Sequence, residues 1–211
     1  MSFAQKIRKI IKHDLFGPEE LRIVNSSASE ASLHSGISRA LKSREIIKLR
    51  RGLYLFGKEL QKNPVSKFKI ANKLYDPSYI SFESALAYYG LIPEAVYTTT
   101  SACVLRKNKT FTNELGDFHY TYIPCYPFFM GVINKDGVLI ASPLRALFDF
   151  IYYRHKHYDN VNDLREDLRL ELHGIKREVT KFTYTQLKKL SGTYKKKNVD
   201  QFCEMLIKEY K

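Results

Sequence analysis

The sequence predicts an α+β protein in which a basic, mainly helical N-terminal domain precedes a domain with a small antiparallel sheet and helices. Helical periodicity at the N-terminus ends in a β-hairpin pattern, the middle of the chain has β-branched and aromatic runs, and the last part is helical again. The chain has 211 residues, 44% of them hydrophobic, which is enough for a sizeable core. The predicted domains are residues 1–62 and 63–211.

The formal net charge of +13 favours a polyanionic partner, because lysine and arginine near phosphates release condensed counterions. Residues 1–62 contain 13 basic and 6 acidic residues, residues 63–153 contain 8 and 7, and residues 154–211 contain 14 and 9. The excess positive charge therefore lies at the two ends of the chain. Charge alone does not distinguish DNA, RNA and anionic lipid.

The N-terminus predicts an amphipathic first helix. Its inward stripe consists of Phe3, Ile7, Ile10 and Ile11. Its polar side consists of Lys6, Arg8, Lys9 and Lys12. Gly17 and Pro18 interrupt this helix, and Pro18 suits the first turn of a second short helix through residues 21–24. A serine-rich stretch over residues 25–29 then offers N-caps for a third helix.

The third helix, predicted over residues 29–44, has two chemically distinct faces. The residues expected to face inward are Leu33, Ile37, Ala40 and Leu41. The opposite face displays Ser35, Ser38, Arg39 and Lys42, with Ser32 and His34 on its flanks. Small side chains allow a helix to lie deep in a groove, and the positive charge suits a phosphate backbone.

A hairpin pattern follows this helix, with β-rich runs at residues 46–49 and 53–56 around the turn Arg50-Arg51-Gly52. Three helices and such a hairpin make a winged helix, whose third helix enters the major groove while the wing contacts the neighbouring backbone. The candidate DNA-binding residues are Ser35, Ser38, Arg39, Lys42, Lys48, Arg50 and Arg51. A solvated basic face and a winged helix that binds other proteins are the alternatives.

The second domain is predicted to alternate helices and strands. Helices are expected near residues 66–75 and 83–89, the latter ended by Gly90. Strands are expected at residues 79–82, 96–104, 118–123, 129–133 and 138–141, the last two joined by a turn over residues 134–137. These strands suggest a small antiparallel sheet.

Helices are predicted to complete the chain. Ser142 and Pro143 place an N-cap and a first-turn proline before a helix. The apolar face of that helix consists of Leu144, Leu147, Phe148 and Ile151. Beyond residue 161 the pattern is helical, and the N-cap candidates are Asn162, Thr183 and Asn198.

The sequence favours a cytoplasmic protein without a membrane segment. It has no run of about 18 apolar residues, and lysine and arginine interrupt the apolar positions at the N-terminus, unlike a signal peptide. The three cysteines, Cys103, Cys125 and Cys203, form neither a CxxC pair nor an even disulfide set. We expect all three to be reduced packing residues.

Motifs for cofactors, metals and catalysis are missing from the sequence, which therefore predicts no catalytic residue, no metal ligand and no cofactor. GxGxxG, GxxxxGK[ST], HExxH and CxxC patterns do not occur, since the Gly-Lys pair at residues 57–58 is followed by glutamate. His155 and His157 would point about 200° apart on a helix and could not share a metal ion.

A metal-dependent nuclease is the main enzyme alternative, because a basic DNA-binding protein could also carry clustered carboxylates. The candidate carboxylates, Glu83, Glu94, Asp117 and Asp149, are scattered along the middle of the chain. The one Glu-x-Lys pattern, residues 209–211, ends the chain and is expected to fray. We therefore expect a binding protein and not an enzyme.

An aromatic cluster in the middle of the chain has two possible roles. It consists of Tyr120, Tyr122, Tyr126, Phe128 and Phe129. These rings could stack on unpaired bases, or they could form the core and rim of a sheet.

Three segments resemble the AbiEi family of antitoxins from type IV toxin–antitoxin systems, which act in abortive infection. Residues 37–41 and 46–54 resemble its recognition helix and its basic, Gly-Tyr-bearing wing. Residues 79–93 are similar to its strand–helix element, and residues 141–149 to the helix start that follows its sheet. The order of the segments is more specific than any one of them.

The resemblance implies a transcriptional regulator that represses its own operon by binding operator DNA with its winged helix. It also implies an antitoxin that counteracts a nucleotidyltransferase toxin. A stable complex with the toxin is not implied, since family members need not form one. The resemblance covers roughly residues 37–149, and the part after Tyr158 matches no segment of the family.

Overall fold

The computed structural model describes residues 1–24 and 29–211, and it confirms the α+β class. The described chain forms two compact units, one of residues 1–70 with 111–115 and one of residues 71–110 with 116–211. The division into functional domains of residues 1–62 and 63–211 stays a prediction. Of the serine-rich stretch, residues 25–28 lie outside the described residues.

Three helices of the first unit are α1 (Phe3–Ile10), α2 (Pro18–Val24) and α3 (Glu30–Lys42). Ser2 caps α1 in a reciprocal pair with Gln5, so that two backbone amides at the helix start are satisfied. The side chain of Ser29 caps α3 by accepting a hydrogen bond from the amide of Ser32 at 3.3 Å. The serine-rich stretch thus supplies an N-cap at its last residue.

The first unit also contains a three-stranded antiparallel sheet. Its strands are β1 (Leu15–Phe16), β2 (Ile46–Arg50) and β3 (Leu53–Phe56), in the order β1-β3-β2. The predicted hairpin is confirmed, although its turn is shorter because Arg50 belongs to β2. Gly52 has a φ of +76°, a conformation that glycine adopts without steric cost. Strand β1 was not predicted, because two residues are too few to show an alternating pattern.

The core of the first unit joins α1, α3 and the sheet. Ala4, Ile7, Ile46 and Phe56 are buried in it, and all four predicted inward residues of α3 pack there, with Ala40 buried and Leu33, Ile37 and Leu41 partly so. The prediction for Ile10 was wrong, since it is 55% exposed. The buried arc of α1 is centred between Ala4 and Ile7, about 90° around the helix from Ile10 at 100° per residue.

The prediction that Arg8 lies on the exposed polar side of α1 was also wrong. Its side chain is 10% exposed and pairs with Asp14 at 3.1 Å. Its guanidinium lies 4.6 Å from the ring centroid of Phe56 and donates to the carbonyl of His13 at 2.9 Å. Asp14 also accepts a hydrogen bond from the amide of Lys62 at 2.9 Å. Arg8 therefore ties the first helix to the chain around the sheet.

Replacing Gly36 by Ala is expected to lower the free energy of unfolding by about 1–3 kcal/mol. A Cβ at Gly36 would lie 2.6 Å from a ring carbon of Phe3, so the Phe3 ring or one of the two helices would have to shift. Urea denaturation followed by circular dichroism measures the loss. Gly192→Ala is the control, since its Cβ would meet nothing within 4 Å. An equal loss in both variants would refute this packing argument.

The larger sheet of the protein has six strands and is mixed. The prediction of a small antiparallel sheet for the second domain was therefore wrong. The six strands are β4 (Ser78–Ile80), β5 (Thr99–Cys103), β6 (Lys109–Asn113), β7 (Gly116–Tyr122), β8 (Val132–Lys135) and β9 (Val138–Ala141). They lie in the order β6-β7-β5-β4-β9-β8, and β4 pairs with β9, and β5 with β7, in parallel. Local sequence patterns show that a segment is a strand, but they do not show its direction relative to a distant partner.

The remaining helices follow the predicted order. They are α4 (Lys67–Leu74), α5 (Phe82–Tyr88), α6 (Pro143–Arg154), α7 (Val161–Leu168), α8 (Leu172–Thr180), α9 (Tyr184–Gly192) and α10 (Lys197–Tyr210). Ser142 and Thr183 are confirmed as N-caps. The predictions for Asn162 and Asn198 were wrong. Asn160 caps α7, and Asn198 lies within α10, where its side chain donates to the carbonyl of Ile151.

In the part of the chain that the structure describes, no helix has both the length and the apolar character needed to cross a bilayer. The three cysteines are buried and unpaired. Burial raises the pKa of the Cys103 thiol to about 11, so this thiol stays protonated at neutral pH. Its environment is that of a packing residue, as the sequence predicts.

Candidate nucleic-acid interface

The outer face of α3 is open to solvent over its whole length. All four candidate residues, Ser35, Ser38, Arg39 and Lys42, are exposed, and so are Ser32 and His34. The opposite face, with Gly36 and Ala40 at its centre, is buried against the core. The helix therefore presents two hydroxyl-bearing and two cationic side chains on a rigid, well-packed support.

The β2–β3 hairpin presents the other three candidate residues. Lys48, Arg50 and Arg51 are all exposed. Lys48 lies opposite Tyr54 and Arg50 opposite Leu53, so the strand register shifts between the two basic residues. Leu49, between them, is 3% exposed, which directs the apolar side chain inward and both basic neighbours outward. The hairpin tip is therefore cationic and its base is anchored.

The positive charges of this surface are not neutralised within the protein. Over residues 1–24 and 29–211, Arg39, Lys42, Lys48, Arg50 and Arg51 form no ion pair. Glu45, an acidic residue close to them in sequence, accepts a hydrogen bond from the hydroxyl of Ser43 at 3.1 Å. The guanidinium of Arg50 donates to the carbonyl of Arg51 at 3.0 Å and has further N–H groups free to donate.

These residue types can perform the two tasks of duplex recognition, which are to read base edges and to contact backbone phosphates. Arginine can bind the O6 and N7 atoms of guanine in a bidentate manner, while serine and lysine bind bases or phosphates. Basic side chains on a hairpin are suited to backbone phosphates. The structure places all seven candidate residues on one compact unit with a shared core. We call these seven residues the α3–hairpin surface.

A buried polar network in the second unit was not predicted from the sequence. Arg145 and Asp149 are both 0% exposed and form an ion pair at 3.1 Å, one turn apart on α6. Asp149 also accepts hydrogen bonds from the hydroxyls of Tyr79 at 2.9 Å, Ser81 at 2.6 Å and Tyr194 at 2.6 Å. Every oxygen of this carboxylate is therefore satisfied, as a buried charge requires.

The guanidinium of Arg145 holds a neighbouring loop as well as the carboxylate. It donates to the carbonyls of Met130 at 3.1 Å and Phe128 at 3.3 Å, and to the hydroxyl of Tyr79 at 2.6 Å. It also contacts the sulfur of Cys125. Burial would lower the pKa of Arg145, but Asp149 raises it above its ordinary value, so the side chain stays charged. The network connects α6, β4 and the loop that follows β7.

Burial raises the pKa values of Tyr79 and Tyr194 well above the ordinary tyrosine value, and the Asp149 carboxylate raises them further. Both phenols therefore stay protonated and act as hydrogen-bond donors to that carboxylate. A site of this kind stores no accessible acid or base. Its ion pair and hydrogen bonds join α6 to β4 and to the α9–α10 turn.

The carboxylates considered for a nuclease are engaged in separate interactions. Glu83 lies 3.6 Å from Arg154, Glu94 lies 3.1 Å from Arg169, and Asp149 belongs to the buried network. Asp117 is exposed. Across the described residues, no group of three or more His, Cys, Asp or Glu side chains is arranged to hold a metal ion.

The two histidines considered as a metal pair lie beyond the end of α6, not within a helix. His155 is the C-cap of α6 and has a φ of +54°, while His157 lies 3.1 Å from Asp159. The helical spacing argument therefore does not describe them, because the helix ends at Arg154.

No protein-family model matches the chain, and no curated protein matches it.

Proposed function

We propose that the first unit is a winged helix that binds double-stranded DNA, with α3 in the major groove and the β2–β3 hairpin on the adjacent backbone. One observation carries this proposal: the exposed face of α3 combines short hydroxyl side chains with unpaired cations, next to a hairpin whose tip is also cationic. Phosphate contacts from the helix and the hairpin set the orientation. The residues that read the operator in the major groove are Ser35, Ser38, Arg39 and Lys42.

The particular protein we propose is an autorepressing antitoxin of the AbiEi type, acting against a nucleotidyltransferase toxin. The three resembling segments support this proposal, and two of them meet in the buried network. Tyr79 and Ser81 come from one segment, and Arg145 and Asp149 from the other. These two segments therefore pack against each other within the second unit. A direct complex with the toxin is not part of the proposal.

Replacing Arg39 by Ala is expected to weaken operator binding by about 1–3 kcal/mol, roughly ten- to a hundred-fold, if its guanidinium contacts a base. The operator is first identified by sequencing genomic fragments that the full chain retains, and affinity is then measured by gel shift. Because a base contact carries sequence information, binding to unrelated duplexes should fall much less.

Lys176→Ala is a matched control for the charge change, since Lys176 is an exposed lysine of the second unit. Failure of the full chain to shift any duplex at low salt would refute DNA binding and favour a winged helix that binds proteins. Magnesium-dependent cleavage of the retained DNA would refute the repressor assignment and favour a nuclease.

A further inference from the structure

A surface of the second unit combines exposed lysines with accessible aromatic rings. Its six residues come from the loop after β7, the end of α6, the turn between α9 and α10 and the first residue of α10. They are Tyr126, Tyr152, His155, Lys195, Lys196 and Lys197. We call them the tyrosine–lysine patch. Tyr126 is 85% exposed, so both faces of its ring are accessible to a ligand.

Short contacts bring the three parts of the patch together. The amide of Tyr126 donates to the carbonyl of Thr193 at 3.2 Å, which joins the loop after β7 to the α9–α10 turn. The ammonium of Lys196 lies 5.9 Å from the ring centroid of Tyr152, and that ring lies 6.0 Å from the ring of His155. The end of α6 and the α9–α10 turn therefore meet through Tyr152 and Lys196, and the loop after β7 is hydrogen-bonded to the same turn.

The buried network holds both loops of the patch from below. Arg145 binds the loop after β7 through the carbonyls of Phe128 and Met130. Asp149 binds the α9–α10 turn through the hydroxyl of Tyr194, the residue directly before Lys195. Because these anchors fix the backbone, little conformational entropy is lost when a ligand binds.

The lysines of the patch have no acidic partner in the described parts of the chain. Asp200, in the first turn of α10, accepts a hydrogen bond from the hydroxyl of Ser191 at 3.0 Å. The charges of Lys195, Lys196 and Lys197 are thus available to an anionic ligand.

We propose that the tyrosine–lysine patch binds single-stranded RNA, with an unpaired base stacked on Tyr126 and phosphates on the three lysines. Stacking platforms next to cationic side chains are how proteins bind single strands. Bases inside a duplex offer no free face to a tyrosine ring, and the carboxylates of an acidic peptide would bind the lysines and not the ring of Tyr126. In cells, unpaired and splayed bases are presented mainly by RNA loops and ends. This site belongs to the second unit, whereas the α3–hairpin surface belongs to the first.

The test measures fluorescence anisotropy of a labelled oligouridine of about twelve nucleotides with the full chain. Tyr126→Ala is expected to weaken binding about ten-fold, whereas Tyr126→Phe, which keeps the ring face, should stay within about two-fold of the original. Replacing Lys195, Lys196 and Lys197 by Ala should reduce the slope of log affinity against log salt by about 2. Each variant is at the surface, and circular dichroism verifies its fold.

Two control variants separate this site from other positive charges. Lys176/Lys189/Lys208→Ala removes three exposed lysines elsewhere in the second unit, and Lys48/Arg50/Arg51→Ala removes the hairpin charges. Both should leave the salt slope for oligouridine unchanged. Loss of oligouridine binding in the hairpin variant would overturn the proposal, while leaving DNA binding by α3 intact.

Three competition results would also overturn it. They are equal displacement of oligouridine by duplex DNA, equal displacement by polyglutamate, and tighter binding of oligodeoxyuridine than of oligouridine. Crosslinking of 5-bromouridine to the peptide that contains Tyr126 would support it directly.

Discussion

Replacing Asp149 by Ala is expected to lower the free energy of unfolding by about 3–5 kcal/mol, the range for removing one partner of a buried ion pair. The substitution leaves the Arg145 guanidinium charged and without its carboxylate in a site that is 0% exposed. It also removes the acceptor of the Ser81 and Tyr194 hydroxyls. Each buried donor left unsatisfied adds to the loss. Urea denaturation followed by circular dichroism measures it.

Glu83→Ala provides the control, because it removes an ion pair with Arg154 in which the two side chains are 35% and 49% exposed. Such exposed pairs contribute about 0–1 kcal/mol. The double variant Arg145→Met, Asp149→Leu should lose less than the sum of the two single variants, since no charge stays buried alone. A loss below about 1 kcal/mol for Asp149→Ala would show that the network is not needed for stability.

The burial of Arg145 and Asp149 could have been predicted from the sequence of α6. Helix α6 is apolar on all sides from Pro143 to Ile151 except at Arg145 and Asp149. A helix that is apolar all around is buried, so charged residues within it must also be buried. Their spacing of four residues places them on one face as an ion pair. The partners Tyr79 and Ser81 could not be found, because they approach from a strand more than sixty residues away.

The faces of α3 could be predicted because they depend on the residues of one helix alone. The rotation of 100° per residue assigns Leu33, Ile37 and Ala40 to one side and Ser35, Ser38 and Arg39 to the other, and burial in the structure follows this assignment. The same argument misplaced Ile10 and Arg8 on α1. Their burial depends on where the core touches the helix and on the distant Asp14, which are tertiary properties.

The topology of the six-stranded sheet could not be predicted, although most of its strands could. Strand β4 pairs in parallel with β9 through Ile80 and Ile140, which are sixty residues apart. Alternation of side chains identifies each strand but gives no information about its neighbour. The turn between β8 and β9, in contrast, could be predicted from local sequence. An Asp-Gly pair favours a hairpin turn in which both residues have positive φ, and Asp136 and Gly137 both have it.

Replacing Lys48, Arg50 and Arg51 by Ala is expected to weaken duplex binding about 100-fold near physiological salt, if each side chain contacts one phosphate. Each such contact contributes about 0.9 to the slope of log affinity against log salt, so the slope should decrease by about 3. Because phosphates are the same in every sequence, the proposed operator and an unrelated duplex should lose affinity equally. Fluorescence anisotropy at several salt concentrations, with both duplexes, measures the two effects.

The contrast with Arg39→Ala makes this prediction specific. A residue that reads a base lowers the ratio of operator to unrelated binding, whereas a residue that contacts a phosphate lowers both and leaves the ratio unchanged. The Lys176/Lys189/Lys208→Ala variant removes the same charge from the second unit and should leave the duplex salt slope as it was. If it reduced the slope as much as the hairpin variant, net charge rather than the hairpin would account for binding, and the winged-helix geometry would lose its support.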